Sequence, residues 1–160
     1  MNNPKAIADT EIGMILASAD IAMPPERIFQ ALSEAKEIEH WWGADGVYYM
    51  RDWIADFRVG GQYTVNVANA DGNMKPASGK FLEIDIPHKL VHTRKYEWEF
   101  PVLGRRETTI TYRFAPIADG TRITVRHEGF FGAGQAAIDH AAGWERVFGW
   151  LIDYMTTLSR

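Results

Sequence analysis

The fold of this chain is decided by the stretch TRITVRHEGF, residues 121–130, and by the pattern that follows it. Ile123 and Val125 alternate with Arg122, Thr124 and Arg126, which is the period of a strand with one buried face. Apolar side chains then recur at steps of three and four, along one side of a helix. They are Ala137, Ala141, Trp144, Phe148, Leu151, Met155 and Leu158. The two patterns predict a strand and then a long helix that lies along a surface.

The preceding residues predict strands, with two short helices after the first of them. The first strand is expected at residues 11–21 and ends before Pro24-Pro25, where the second proline suits the first turn of a helix. A second short helical turn leads to Trp41-Trp42. Period-two alternation returns on both sides of turn-forming residues. The predicted hairpin strands cover residues 52–58 with 63–67, 80–86 with 90–99, and 107–115 with 121–130.

These elements define an α+β fold class. Because hairpins keep successive strands adjacent, the strands are expected to form one curved antiparallel sheet. Only the last helix is long enough to fill the concave side, at about 1.5 Å per residue. We therefore expect a sheet wrapped around a long C-terminal helix, with the two short helices between strands 1 and 2. Curvature is expected to leave a cavity between helix and sheet.

Composition narrows the classes of function. The chain has 160 residues, 46% of them hydrophobic and 24% charged, which is typical of one globular domain. A net charge of −4 disfavours nucleic-acid binding. The absence of cysteine excludes disulfides, thiolate nucleophiles and cysteine-ligated zinc. No apolar run has the length of a signal peptide or a membrane span, so we expect a cytoplasmic protein with a frayed N-terminus over residues 1–10.

Several short motifs occur together in a familiar order. They are MPPERIFQAL at 23–32, WWG at 41–43, DFRVGG at 56–61, GKFLEI at 79–84, PHKLV at 87–91, GTRITVRHEGF at 120–130 and Gly143-Trp144. In this order they resemble the bacterial proteins related to the C-terminal domain of the heat-shock protein 90 ATPase activator. That family lies within the START-like (SRPBCC) helix-grip superfamily. The resemblance covers roughly residues 12–158.

The resemblance implies a single START-like domain over residues 11–160, with a sheet of seven strands or fewer and an apolar ligand cavity. The superfamily includes lipid carriers, hormone receptors, polyketide cyclases and co-chaperone domains, so the fold alone does not settle the function. The chain departs from its relatives in one place. Where they commonly carry an aromatic residue after Leu90-Val91, it has His92 and Arg94, which predicts a more polar cavity wall.

Aromatic residues are the first candidates for contact with a ligand. The set is Trp41, Trp53, Tyr63, Tyr96, Trp98, Tyr112, Trp144 and Phe148. Together they could line a pocket of several hundred Å³, a size that suits a small organic molecule. The alternative is that they fill a core, although six tryptophans is a high count and each buried indole N–H needs a partner.

Polar residues form the second candidate set. If the hairpin turn lies at Pro87-His88, Glu83 faces His92, and both share one face of the sheet with Arg94. The same reasoning around Asp119-Gly120 pairs Ile110 with His127. An inward Glu83, His92, Arg94 and His127 would equip the cavity with an acid, a base and a cation. The alternatives are an ordinary Glu83–His92 structural pair, a solvated face, and a core histidine at position 127.

Motifs for metals and nucleophiles fail on inspection. His127-Glu128 would begin a zinc-protease signature, but position 131 is phenylalanine. Ser78 lacks the glycine two residues earlier that a nucleophile elbow needs. The sequence therefore predicts no metal site, no cofactor and no assigned catalytic residue.

Three hypotheses of function stay open. The favoured one is a binding domain for an apolar or aromatic small molecule, oriented by residues such as His127, Arg94 and Tyr96. The second is an enzyme of cyclase or hydrolase type that uses a buried histidine or glutamate as general base. The third is a chaperone-interacting module that resembles the ATPase activators. A homodimer is also left open as a partner.

Overall fold

The computed structural model describes residues 3–158. Three helices are present: α1 (Pro25–Ser33), α2 (Ala35–Trp41) and α3 (Gly134–Leu158). The strands are β1 (Lys5–Asp9), β2 (Met14–Ile21), β3 (Gly43–Ala44), β4 (Tyr48–Ala55), β5 (Gln62–Asn69), β6 (Met74–Asp85), β7 (Lys89–Tyr96), β8 (Thr108–Ile117) and β9 (Gly120–Glu128). They form one antiparallel sheet in the order β1-β2-β9-β8-β7-β6-β5-β4-β3. The predicted α+β class is confirmed.

The helix α3 fills the concave side of the sheet, as the sequence predicts. Its 25 residues span about 37 Å, enough to cross the curved sheet. Ala137, Phe148 and Leu151 are fully buried, and Trp144 and Met155 are nearly so. Leu158, at the end of the predicted stripe, is instead exposed, because the helix ends there.

The short helices close one side of the core. Pro25 occupies the first turn of α1 and Glu26 lies near its positive end, as expected from the sequence. Ile28 and Phe29 of α1 and Ile38 of α2 are buried in the common core. Both helices lie between β2 and β3, because an unpredicted strand precedes β2.

That unpredicted strand is β1, in a region where the sequence predicted a frayed N-terminus. It pairs with β2 along its whole length, and Glu145 of α3 accepts a hydrogen bond of 2.9 Å from the Ala6 amide. The turn into β2 needs Gly13, whose φ is +73° and where a Cβ atom would lie 2.0 Å from the Phe131 nitrogen. With β1 and the two-residue β3, the sheet has nine strands instead of seven or fewer. Met1 and Asn2 lie outside the described residues.

Strand register was predicted correctly in one hairpin and wrongly in another. Ile110 faces His127, as expected. Between β6 and β7, however, Glu83 faces Val91 and Phe81 faces His92. The turn is centred slightly earlier in the chain than predicted, so Glu83 pairs one residue before the expected partner. An irregularity between Phe81 and Glu83 then shifts the pairing a second time. Glu83 therefore lies on the outer face of the sheet.

Candidate ligand-binding site

A cavity of about 320 Å³ lies between α3 and the sheet. Its walls are formed mainly by β4, β5, β7, the segment after β7, and the N-terminal half of α3. The apolar and aromatic lining consists of Trp42, Tyr48, Met50, Val67, Tyr96, Trp98, Phe100, Trp144 and Val147. The remaining lining residues are Asn69, Arg94, His127, Asp139, His140, Gly143 and Arg146. The cavity is thus an aromatic chamber with a few polar groups, as small-molecule sites commonly are.

Arg94 brings a positive charge into this chamber. It lies on β7 with 6% of its surface exposed, and the guanidinium stays charged because arginine is not deprotonated in proteins. Its Nε donates a hydrogen bond of 3.3 Å to the Tyr63 hydroxyl, and its Cζ lies 5.6 Å from the centre of the Trp42 ring. Its Nη2 is buried without a hydrogen-bond partner. Within residues 3–158, no acidic side chain forms an ion pair with Arg94.

His127 is held by hydrogen bonds at both ring nitrogens. The Trp144 indole lies 3.1 Å from Nδ1, and Nε2 lies 2.8 Å from the Thr108 hydroxyl. An indole N–H can only donate, so Nδ1 accepts and the proton sits on Nε2. Thr108 in turn donates to the Arg94 carbonyl at 3.3 Å. The neutral ring is therefore fully engaged and has no free lone pair for proton abstraction.

His140 and Tyr96 form a second fixed pair at the cavity wall. His140 Nδ1 lies 2.8 Å from the Ala136 carbonyl, which can only accept, so this nitrogen carries the proton. The Tyr96 hydroxyl accordingly donates to His140 Nε2, at 2.9 Å. Burial raises the pKa of Tyr96 to about 12, so its hydroxyl stays protonated at neutral pH.

Burial keeps the interior histidines neutral. The pKa of His92 falls to about 3, first because the ring is buried and second because Arg94 is nearby. Burial also holds the pKa of His127 well below its ordinary value, and the charge of Arg94 adds to the effect. The pKa of His140 is lowered, again mainly by burial. At neutral pH the cavity wall therefore combines one buried positive charge with neutral rings.

The structure separates the candidate residues into three groups. Arg94, Tyr96, His127 and Trp144 line the cavity, together with Trp98. The others pack in the core beneath it: Trp41, Trp53, Tyr63, His92, Tyr112 and Phe148. Glu83 points away from the interior and pairs with Lys89 at 3.0 Å, which corrects its inclusion in the set.

The core residues pack against one another, although the buried Trp53 indole nitrogen has no hydrogen-bond partner. The Trp53 ring stacks on Tyr63 with centroids 4.7 Å apart, and the Trp41 indole donates to the Ala31 carbonyl at 2.9 Å. The Tyr63 hydroxyl donates to the Thr93 carbonyl at 2.8 Å, close to His92 Nδ1. These aromatic residues support the cavity from below.

Sequence reasoning missed several lining residues. They are Trp42, Tyr48, Met50, Val67, Asn69, Phe100, Asp139, His140, Gly143, Arg146 and Val147. Trp42 illustrates why. It directly follows Trp41, the last residue of α2, and its ring stacks on that of Trp41 with centroids 5.1 Å apart. The backbone becomes extended at Trp42, and of the two rings only that of Trp42 lines the cavity. Only the change from helix to extended chain at this pair could have signalled it.

A larger hollow of about 530 Å³ lies on the outer face of the sheet. Its charged residues are exposed or half-buried, and three of them form ion pairs: Lys89 with Glu83, and Arg126 with Glu128. It contains no buried charge and no aromatic ring among its lining residues. The inner cavity is therefore the better candidate site, although it is smaller.

Among residues 3–158 there is no group of three or more His, Asp or Glu side chains placed to hold a metal ion. Over the same residues, no helix is both long and apolar enough to cross a bilayer.

A curved antiparallel sheet closed around one long helix, with a cavity between them, defines the helix-grip class of proteins. The chain belongs to the family described as Activator of Hsp90 ATPase homolog 1-like protein, whose sequence model matches residues 22–156. This confirms the resemblance inferred from the motifs. Membership supports a ligand-binding or activator-like domain in general.

Solved structures agree with the fold. A crystal structure of a Rhodobacter sphaeroides protein is 19% identical, with a TM-score of 0.79 over 96% of this chain and 99% of that one. Protein Ms6760 from Mycobacterium smegmatis is 20% identical, with a TM-score of 0.78 over 96% and 98%. An AHSA1-like protein from Aeromonas hydrophila is 20% identical, with a TM-score of 0.71 over 91% and 94%. A search of the curated proteins finds no match.

Proposed function

We propose that this chain binds a small, largely apolar organic molecule in the cavity between α3 and the sheet. The observation that carries the proposal is the chamber of about 320 Å³ with its aromatic lining. Cavities of roughly this size and composition accommodate small organic ligands, because the rings offer a large apolar contact area. Trp42, Trp98 and Trp144 contribute much of that area.

The hydrogen bonds of the histidines favour binding over catalysis. A general base needs a free lone pair within reach of the proton that it removes. Nδ1 of His127 accepts from Trp144, and Nε2 of His140 accepts from Tyr96. Glu83, the glutamate named as an alternative general base, lies on the outer face of the sheet and pairs with Lys89. These contacts suit a rigid wall that positions a ligand.

Gly143 offers a way to test the proposal without disturbing the hydrogen bonds. It lines the cavity from the middle of α3, and a Cβ atom there would meet only Arg146 Nη2, at 3.8 Å. A leucine at this position therefore extends into the cavity and occupies space that a ligand would need. Gly149 is the matched control, because it lies on the same helix outside the cavity lining and a Cβ there meets nothing within 4 Å.

The experiment measures binding by tryptophan fluorescence, with a panel of flavonoid-like, polyketide-like and fatty-acid compounds. At least one class should quench the parent saturably, Gly143→Leu should weaken that binding roughly tenfold or more, and Gly149→Leu should retain it. Native mass spectrometry of the purified protein would identify a ligand that co-purifies. If every class fails to bind below about 1 mM, or if Gly143→Leu binds as the parent does, the proposal is wrong.

A further inference from the structure

We infer that the cavity takes its ligand as a carboxylate, with the anionic group on Arg94 and the apolar body among the aromatic rings. This inference rests on the proposed function and goes further by naming the chemical class of the ligand. Its basis is the state of the Arg94 side chain in the folded protein.

Among the buried residues of the described chain, 3–158, Arg94 is the only one that carries a charge. The other buried polar residues are threonines and neutral histidines. Buried charges in proteins are normally paired with an opposite charge, because a charge away from water is costly. Arg94 has no such partner here, and its Nη2 makes no hydrogen bond. The residue also lines the cavity. Donor capacity is therefore left over at the place where a ligand would sit.

The neighbours of Arg94 leave its Nη2 without an acceptor in this structure. Tyr63 accepts from Nε, and Trp42 offers only the face of its ring. The acceptor nitrogen of His127 is already used by Trp144, and that of His140 by Tyr96. Nη2 is therefore available to donate to a molecule in the cavity.

The charge of the lining favours a monoanion. Three lining residues are charged: Arg94, Arg146 and Asp139, which leaves one net positive charge. Arg146 and Asp139 are exposed, so the buried charge to be balanced is that of Arg94 alone. A carboxylate carries one negative charge and planar acceptor oxygens that match guanidinium geometry. A phosphate dianion would leave a second charge unpaired in an apolar chamber.

The test compares carboxylic acids with their uncharged amides of the same shape. The probes are 2-naphthoate with 2-naphthamide, indole-3-acetate with indole-3-acetamide, and decanoate with decanamide, titrated at pH 7.5. Where a pair binds, we expect the acid to bind about 10- to 100-fold more tightly than its amide. This is the difference in affinity that hydrogen bonds to a charged group typically give. Arg94→Gln should reduce this preference to about twofold or less, and Arg94→Lys should keep part of it.

Arg113→Gln is the matched control, because Arg113 is an exposed arginine in the outer hollow, and it should leave the preference unchanged. If the amides bind the parent as tightly as the acids, the carboxylate inference is wrong while the binding function stands. If no probe of either kind binds, the carboxylate inference is wrong, and the wider panel described above decides the binding function. A loss of preference in Arg113→Gln would place the acids in the outer hollow and overturn the inference. Should Arg94→Gln not fold, the acid and amide comparison in the parent decides.

Discussion

The two halves of α3 face the same sheet but are packed in different ways. In the C-terminal half, Phe148, Leu151 and Met155 are buried in the hydrophobic core. In the N-terminal half, His140, Gly143 and Trp144 border the cavity, so space is left between this part of the helix and the sheet. Close packing stabilises a domain, whereas an open, partly polar chamber does not. The comparison therefore assigns stability to one half of the helix and binding to the other.

The largest expected effect tests the packed half. Leu151→Ala removes a fully buried side chain and should lower the free energy of unfolding by about 2–5 kcal/mol. Leu158→Ala, at an exposed position of the same helix, should change it by less than about 0.5 kcal/mol. Urea denaturation of both variants measures the difference. Equal losses in the two variants would show that the packed half of α3 has been placed wrongly.

The same comparison shows what the sequence can and cannot predict. The stripe on α3 follows from helical periodicity, and the β8–β9 register follows from the short turn between Ile117 and Gly120, so both were predicted correctly. The β6–β7 register was not, because the turn is centred earlier than the sequence suggested and the irregularity beside Phe81 leaves no mark in the alternation of residues. The strand β1 was missed because its inward residues, Ala6 and Ala8, are small and give a weak apolar signal.

The candidate site was predictable only in part. Alternation along β7 placed His92 and Arg94 in the interior, and the β9 pattern did the same for His127. Which of them reach the cavity depends on tertiary packing. His92 is covered by Tyr63 and Tyr112, at ring distances of 5.1 and 5.8 Å, whereas Arg94 extends into the open chamber. Periodicity assigns a face to a residue, but it does not say whether other side chains cover that face.

A second prediction tests the cavity that borders the N-terminal half of α3. Arg94, on β7, is expected to lower the free energy of unfolding. Arg94→Met replaces a buried charge that lacks an ionic partner with an apolar side chain of similar length. It should raise the free energy of unfolding by about 1–3 kcal/mol at pH 7. Arg113→Met, at an exposed site, should alter it by less than about 0.5 kcal/mol. A loss of stability in Arg94→Met would mean that the contacts with Tyr63 and Trp42 outweigh the cost of burial.

The last prediction concerns pH and the neutral histidines beside the cavity. Burial lowers the pKa of His92 from 6.5 to about 3 in the folded chain, so between these values only the unfolded state takes up the proton. The stability due to the neutral ring is thus complete above about pH 6.5 and is lost as the pH falls below it. Each such histidine should contribute a slope of up to about 1.4 kcal/mol per pH unit.

His92→Gln removes one of these groups and should reduce that slope by about 1.4 kcal/mol per pH unit. Urea denaturation between about pH 6 and 4.5 measures it, a window above the range in which carboxylates with lowered pKa values, such as Asp20, take up protons. His88→Gln is the control for the loss of a histidine, because His88 is exposed in the turn between β6 and β7. Its stability should depend on pH in the same way as that of the parent. If His92→Gln keeps the slope of the parent, His92 is already protonated in the folded chain at these pH values. The wall beside the cavity would then carry a second positive charge, and the contrast between the two halves of α3 would be sharper than the neutral rings imply.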